Sequence, residues 1–217
     1  MTSLALTDVV ADYGGERVIG PLDLTLARGE RVALVGRSGA GKSTLLGVMQ
    51  QRWRHHGAAL MPQQLGLVPS LSVFHNVYMG GLARHPTWYN LVTLARPFRR
   101  DIDAIMPLLE RFDIADKCWA AAGELSGGQS QRVAAARAIH QRGDLLLADE
   151  PISALDGPLA ERVLTALGEA YPTSVMALHD VELALRFTDR VVGIADGRIA
   201  LDEASHRLKA QDLLVIY

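Results

Sequence analysis

Short apolar runs rich in branched side chains alternate with longer stretches whose apolar positions recur every three or four residues, and this alternation runs through most of the 217-residue chain. Near the start, LALTDVVADY and VIGPLDLTLA alternate loosely ahead of the turn ARGE, which predicts strands of a mixed sheet. RVALV then reads as a buried strand feeding straight into GRSGAGKSTLLGVMQQ, whose LL and VM spacing suits a helix. From His75 to Ala122 apolar residues recur at helical spacing, as in IDAIMPLLERF, with Pro86, Pro97 and Pro107 as punctuation, and a mainly helical lobe is expected there. Past LSGG the pattern predicts helix SQRVAAARAIHQ, strand DLLLA, helix GPLAERVLTALGEAY, strand SVMAL, helix VELALRF and strand RVVGIA. Strands alternating with helices imply a parallel sheet with helices on its faces. The expected fold is therefore α/β, interrupted by a helical insertion, with no internal repeat or long linker.

Composition narrows the partners. Apolar residues make up 49% of the chain, enough to bury a sizeable core as one domain, and the net charge of -2 gives no field that draws nucleic acid or an anionic membrane to the whole surface. Only Lys42, Lys117 and Lys209 are lysines among 22 basic residues, which makes Lys42 conspicuous. Cys118 is the single cysteine; it excludes an internal disulfide and a Cys-rich metal site, and it reads as a small core side chain. The start MTSLALTDVV lacks a basic leader and a long apolar run, so a cytoplasmic chain is expected. No stretch of about 18 uninterrupted apolar residues occurs, so any membrane role is expected to come through a partner.

Two motifs carry chemistry. Residues 36–44, GRSGAGKST, fit G-x-x-x-x-G-K-[ST] through Gly36, Gly41, Lys42 and Ser43, and they lie between a predicted strand and a predicted helix. Glycines let backbone N–H groups approach phosphate closely, and a helix N-terminus favours negative charge. Lys42 is then expected on the β and γ phosphates, with the Ser43 hydroxyl on Mg²⁺. In LLLADEP an apolar strand ends on two carboxylates, at the end of the sheet where open α/β proteins hold ligands. Asp149 is expected to hold Mg²⁺, directly or through water, and Glu150 to act as general base on the attacking water. A solvated acidic turn is the bland alternative, and it leaves the preceding apolar strand unexplained.

With these residues in place the chain resembles, along nearly its whole length, the ATP-binding cassette (ABC) ATPases. LSGGQSQR, residues 125–132, is similar to that family's signature motif, and SALD, residues 153–156, to its D-loop. The resemblance implies a P-loop NTPase core with an antiparallel β subdomain and an inserted helical subdomain. It divides one ATPase domain, 1–217, into a nucleotide-binding core (1–74 and 123–217) and a helical lobe (75–122). His179 resembles the switch histidine on the γ-phosphate, and Tyr13 the aromatic that stacks on adenine. Gln63, ten residues before Val73, resembles the Q-loop glutamine that reaches Mg²⁺ and the water. The resemblance also puts Arg37, Ser38, Gly39, Ala40 and Thr44 around the phosphates of ATP. In the family, Ser126, Gly127, Gly128 and Gln129 reach the nucleotide of a second subunit, so two ATP molecules join two subunits head to tail.

One departure stands out. Only 20 residues separate Lys42 from Gln63, about half the family's usual interval, so the antiparallel β subdomain is expected to be pared down. Within that interval Arg52, Arg54, His55 and His56 form a polar cluster, read as a solvated loop over a phosphate sensor or metal site. A single cassette implies a separate membrane permease, a place on the cytoplasmic face of the inner membrane and a substrate-binding protein. Residues 68–77 are the expected permease groove, and the aromatics of HPTWYNLVTLARP either extend that contact or pack in the core. QQLGLVPSLSVFHNVYMGGLARHPTWYNL and ADEPISALD look most like the ATPase subunits of bacterial phosphonate or phosphite importers. A regulatory cassette that gates a membrane partner without moving a solute has the same motifs and stays open at this point.

Overall fold

The structure is a computed structural model that describes residues 3–13 and 16–216, with the side chains of Tyr13, Glu16 and Val215 outside the described set. Along the chain run β1 (Ser3–Tyr13), β2 (Glu16–Ala27), β3 (Arg31–Val35), α1 (Lys42–Trp53) and β4 (Ala58–Met61). There follow α2 (Val73–Tyr78), α3 (Thr87–Ala95), α4 (Arg99–Arg111), α5 (Gly127–Gln141), β5 (Leu145–Asp149) and α6 (Gly157–Ala170). The chain closes with β6 (Ser174–Ala177), α7 (Val181–Phe187), β7 (Arg190–Ala195), β8 (Arg198–Ala204) and α8 (Ala210–Leu213). It divides into two compact units, one of Met1–Gln63, Gly143–Ser153 and Tyr171–Tyr217, the other of Gln64–Arg142 and Ala154–Ala170.

The first unit is built on a six-stranded sheet in the order β4-β5-β6-β3-β7-β8, parallel except for β8. Its central strands are covered on both faces, which is why β5 and β6 are buried at every position and read as continuous apolar runs. The antiparallel part is reduced to one two-stranded sheet, β1 with β2. Leu6 and Val9 of β1 and Ile19, Leu24 and Leu26 of β2 join the apolar face of α1 (Leu45, Met49, Trp53) in one core with Leu34, Leu147 and Val175 of the sheet.

Two strands escape the sequence pattern. β4 follows directly on the cluster read as a solvated loop: after α1 a single 3-10 turn, Arg54–His56, leads into it. AALM lacks β-branched residues, and it becomes a strand because its register on β5 sets Ala58 against Leu145 and Met61 against Ala148. β8 returns antiparallel to β7 through Asp196 and Gly197, both at positive φ (47° and 68°), the signature of the tight primed turn for which Asp-Gly is suited. In the polar cluster Arg52, Arg54 and His55 are exposed, and Arg54 Nε donates to His55 Nε2 at 3.1 Å. No group of three or more metal-binding His, Cys, Asp or Glu side chains occurs among the described residues.

The second unit is helical apart from one isolated bridge, Ser72 to Ala121. Phe74 of α2, Ile105 and Leu109 of α4, Phe112 and Val133 of α5 are fully buried in it. Cys118 is buried, and burial pushes its thiol above the usual range. Pro107 sits inside α4 rather than between helices. It is on the exposed side, where water can satisfy the Asp103 carbonyl that a proline cannot reach. The aromatics of HPTWYNLVTLARP split: Tyr89 stacks on His85 and Phe98 and donates to Asp101, whereas Trp88, Leu91 and Leu94 are 63%, 64% and 52% exposed. Among the described residues no helix is long and apolar enough to cross a membrane.

Candidate nucleotide site

The register of the sheet brings the candidate residues to one edge. Leu34 of β3 and Asp149 of β5 both lie beside Ala177 of β6, and Met61 of β4 lies beside Ala148. The residues that follow these strands, Gly36, Glu150, His179 and Gln63, therefore emerge side by side at the carboxyl ends, the crevice where parallel α/β sheets take ligands. Four segments far apart in sequence thus meet at one site.

The loop of residues 36–41 turns from β3 into α1 through three glycines at positive φ. Two of them are also sterically required: a Cβ on Gly36 would lie 2.3 Å from the Ile194 carbonyl oxygen, and one on Gly41 2.8 Å from the Ile19 side chain. Gly41 caps α1 with no side chain, so the first-turn N–H groups have no side-chain cap bond at that end. Arg37, Ser38 and Gly39 are exposed, Ala40 and Thr44 half-buried, and Ser43 lies exposed in the first turn of α1. Lys42 is buried, and its ammonium donates to the carbonyls of Gly36 at 2.7 Å and Arg37 at 3.0 Å. Burial pushes its pKa down, against the charges of Glu150 and Asp149, which raise it.

Asp149 is buried, and its Oδ1 has no hydrogen-bond partner in the protein. A buried carboxylate oxygen without a donor is costly unless a cation takes it, so this donor suits a hard divalent ion such as Mg²⁺. Glu150, next in the chain, adopts a left-handed φ of 53° and turns its side chain to His179, whose Nε2 donates to Oε1 at 2.6 Å. A non-glycine residue held in that region stores about 1–3 kcal/mol, a cost found often where geometry serves chemistry. Gln63 is exposed, two residues past β4. Tyr13 ends β1, and its side chain lies outside the described residues.

The LSGGQ turn belongs to the second unit. Ser126 is the N-cap of α5, its hydroxyl accepting from Gln129 N–H at 3.3 Å while the Gln129 side chain accepts from Ser126 N–H at 2.9 Å. Ser and Gln at this spacing form a capping box, a local reason for both residues that S-x-x-Q carries in plain sight. Gly128 is approached so closely by the segment after Ser153 that a Cβ there would lie 2.8 Å from the Ala154 carbonyl oxygen. Two side chains of α5 that the motif reading passes over are also engaged. Gln131 Oε1 accepts from Ala154 N–H at 2.8 Å, and Arg137 donates to the carbonyls of Leu65 and Gly66.

Comparison with known proteins agrees with this arrangement. The profile of the ABC transporter family matches residues 19–153. The chain is 38% identical to the phosphonates import ATP-binding protein PhnC 1 of Pseudomonas aeruginosa, over 92% of this chain and 85% of that protein. It is 35% identical to the corresponding protein of Thiobacillus denitrificans, over 100% of this chain and 93% of that one. That alignment runs over 243 positions, against 217 residues here, so the relative carries residues with no counterpart in this chain. Among solved structures, the dimeric structure of a bacterial ABC transporter cassette superposes with a TM-score of 0.80 at 26% identity, covering 93% of this chain and 98% of its own. A phosphate loop, an orphaned Asp149 oxygen, a Glu150–His179 pair and a capped LSGGQ turn, together with these relatives, place the chain in the ABC transporter family, as one of its ATPase cassettes.

Proposed function

We propose that this chain is the ATP-hydrolysing subunit of an importer for phosphonate or phosphite, bound to a separate membrane permease on the cytoplasmic face and fed by a substrate-binding protein. The names of the relatives support the substrate class, and the convergence of Lys42, Asp149, Glu150 and His179 on one sheet edge is the observation that carries the chemistry. Hydrolysis of the γ-phosphate relies on positioning and charge neutralisation more than on covalent steps. Lys42 exchanges the carbonyls of Gly36 and Arg37 for phosphate oxygens, and the N–H groups of residues 39–43 face the same anion at the start of α1. Ser43 and Asp149, with Gln63, would hold Mg²⁺, which supplies further positive charge to the phosphates. Glu150 takes the proton of the attacking water, and His179, already bonded to it, orients the base and the γ-phosphate. Tyr13 is proposed on adenine.

The second half of each site comes from a neighbouring copy, whose Ser126, Gly127, Gly128 and Gln129 close over the nucleotide. The permease is proposed to dock on residues 68–77, which the buried side chain of Asn76 holds in shape through bonds to Val68, Leu71 and Ser72, and on the exposed Trp88, Leu91 and Leu94 of α3. Glu150→Gln tests the scheme. ATP binding is retained, turnover falls about 10²-fold or more, and a dimer is trapped in the presence of ATP and the permease. A variant that stays monomeric under those conditions refutes the shared site. In proteoliposomes with the permease and binding protein, phosphonate is expected to stimulate ATPase activity and accumulate inside; ATPase activity without solute movement refutes import.

A further inference from the structure

The contacts of α5 assign a task to Gln131, a residue outside the phosphate loop, the carboxylates and the LSGGQ turn. Its side chain is buried, and its Oε1 accepts from Ala154 N–H at 2.8 Å, in the SALD segment. One turn earlier on the same helix, Gly128 packs closely against the Ala154 carbonyl, so α5 meets Ala154 at both its N–H and its carbonyl. The helix is itself tied down farther along. Arg137, six residues on and about 9 Å along the axis, donates through Nη1 to the Gly66 carbonyl at 2.8 Å and through Nη2 to that of Leu65. At the start of the helix, the Ser126–Gln129 box fixes the first turn. A helix held at both ends is a rigid mount, and a loop bonded to it moves with it.

We propose that Gln131 is a positioning residue that couples the D-loop to the signature turn, so that both arrive at the neighbouring copy's nucleotide as one preformed surface. This rests on the shared-site reading given above. Without the bond, Ala154 N–H loses its buried acceptor, the loop samples other conformations, and the catalytic geometry across the interface is assembled less often. Gln131 stands on α5 in the helical unit, outside the phosphate loop and the two carboxylates, so the coupling assigned to it leaves nucleotide binding by the monomer to Lys42 and its neighbours.

Gln131→Met keeps the length and apolar stem but removes the acceptor, and Gln131→Glu restores an acceptor at the same place. In the full-length chain with Mg²⁺ and ATP, the Met variant is expected to bind ATP with unchanged affinity, to lose about tenfold in kcat and to exchange the Ala154 amide hydrogen at least tenfold faster. The Glu variant is expected to recover most of both. Unchanged exchange at Ala154 overturns the proposal, as does unchanged kcat with exchange accelerated, or a parallel loss of ATP affinity that marks a general folding defect. Failure of the Glu150→Gln chain to dimerise while Gln131 is intact sinks the shared site instead; a trapped dimer with full turnover in Gln131→Met sinks only the coupling.

Discussion

Protonating His140 in the folded chain would place a cation against the guanidinium of Arg84. The ring is 7% exposed, and Arg84 Nη2 lies 2.9 Å from Nε2 while Nη1 donates to the carbonyls of His140 and Gln141. Arginine offers only donors, so Nε2 must accept and the ring must be neutral with its proton on Nδ1. Burial is the main reason its pKa falls from 6.5 to about 4, and the charges of Arg84 and Arg142 add to it while Asp101 opposes. Above pH 6.5 the folded and unfolded chains both carry a neutral ring, and the group contributes nothing to stability. Between 6.5 and about 4 the unfolded chain takes up a proton that the folded chain refuses, so stability falls as the pH drops and levels off below the folded value. At about 1.36 kcal/mol per pH unit the full loss is about 3 kcal/mol, of which about 2 kcal/mol has accrued by pH 5. Urea unfolding at pH 7 and pH 5 reads this directly, with His140→Gln as the control that cannot titrate. The wild type should lose about 2 kcal/mol more than the variant over that interval. Equal losses, or an NMR titration of His140 with a midpoint at 6.5 or above, would refute the argument.

Two other outcomes follow from the geometry. Gly36→Ala drives a Cβ to 2.3 Å from the Ile194 carbonyl at a φ of 146°, which at about 1–3 kcal/mol of overpacking should lower the melting temperature by about 2–12 °C and weaken ATP binding; a variant unchanged in both measurements contradicts the close packing of this loop on β7. Asp189 accepts two side-chain bonds from Arg31, which hold its carboxyl below the usual range, so its contribution is present at neutral pH and lost as the pH falls through the depressed value. Because both partners are more than a third exposed, Asp189→Asn should cost no more than about 1 kcal/mol at pH 7, and the difference from wild type should shrink in acid unfolding as the pH falls through the depressed value; a difference that does not shrink as the pH falls contradicts the ionic origin.

How much of this is legible in the sequence depends on whether the signal is local. The phosphate loop, the two carboxylates and the LSGGQ turn are each contiguous, and each carries its own conformational requirement, such as the Gly36 approach or the Ser126–Gln129 cap. β3, β5 and β6 are short apolar runs because they are buried on both faces, and the same burial makes them readable. β4 is different. Its four residues become a strand only through pairing with β5, and no pattern within AALM announces that partner. β8 had a local signal in Asp-Gly, but its residues alternate weakly and end in DEA. The Gln131 bond to Ala154 joins residues 23 apart, and the Glu150 bond to His179 residues 29 apart; such contacts are set by the fold and have no spacing rule from which to infer them.

The abrupt passage from α1 to β4 has a consequence for engineering. Arg54, His55 and Gly57 are exposed, Gly57 has a left-handed φ of 66°, and the turn stands at the amino end of the parallel strands, opposite the edge that carries Gln63, Glu150 and His179. Exposed turns of this kind accept added chain at small entropic cost, since closing a longer loop adds only about 0.6 kcal/mol per doubling of its length. The bottom of the sheet is therefore a natural port, a place to splice in an affinity tag or a fluorescent reporter while the catalytic rim at the other end keeps its register.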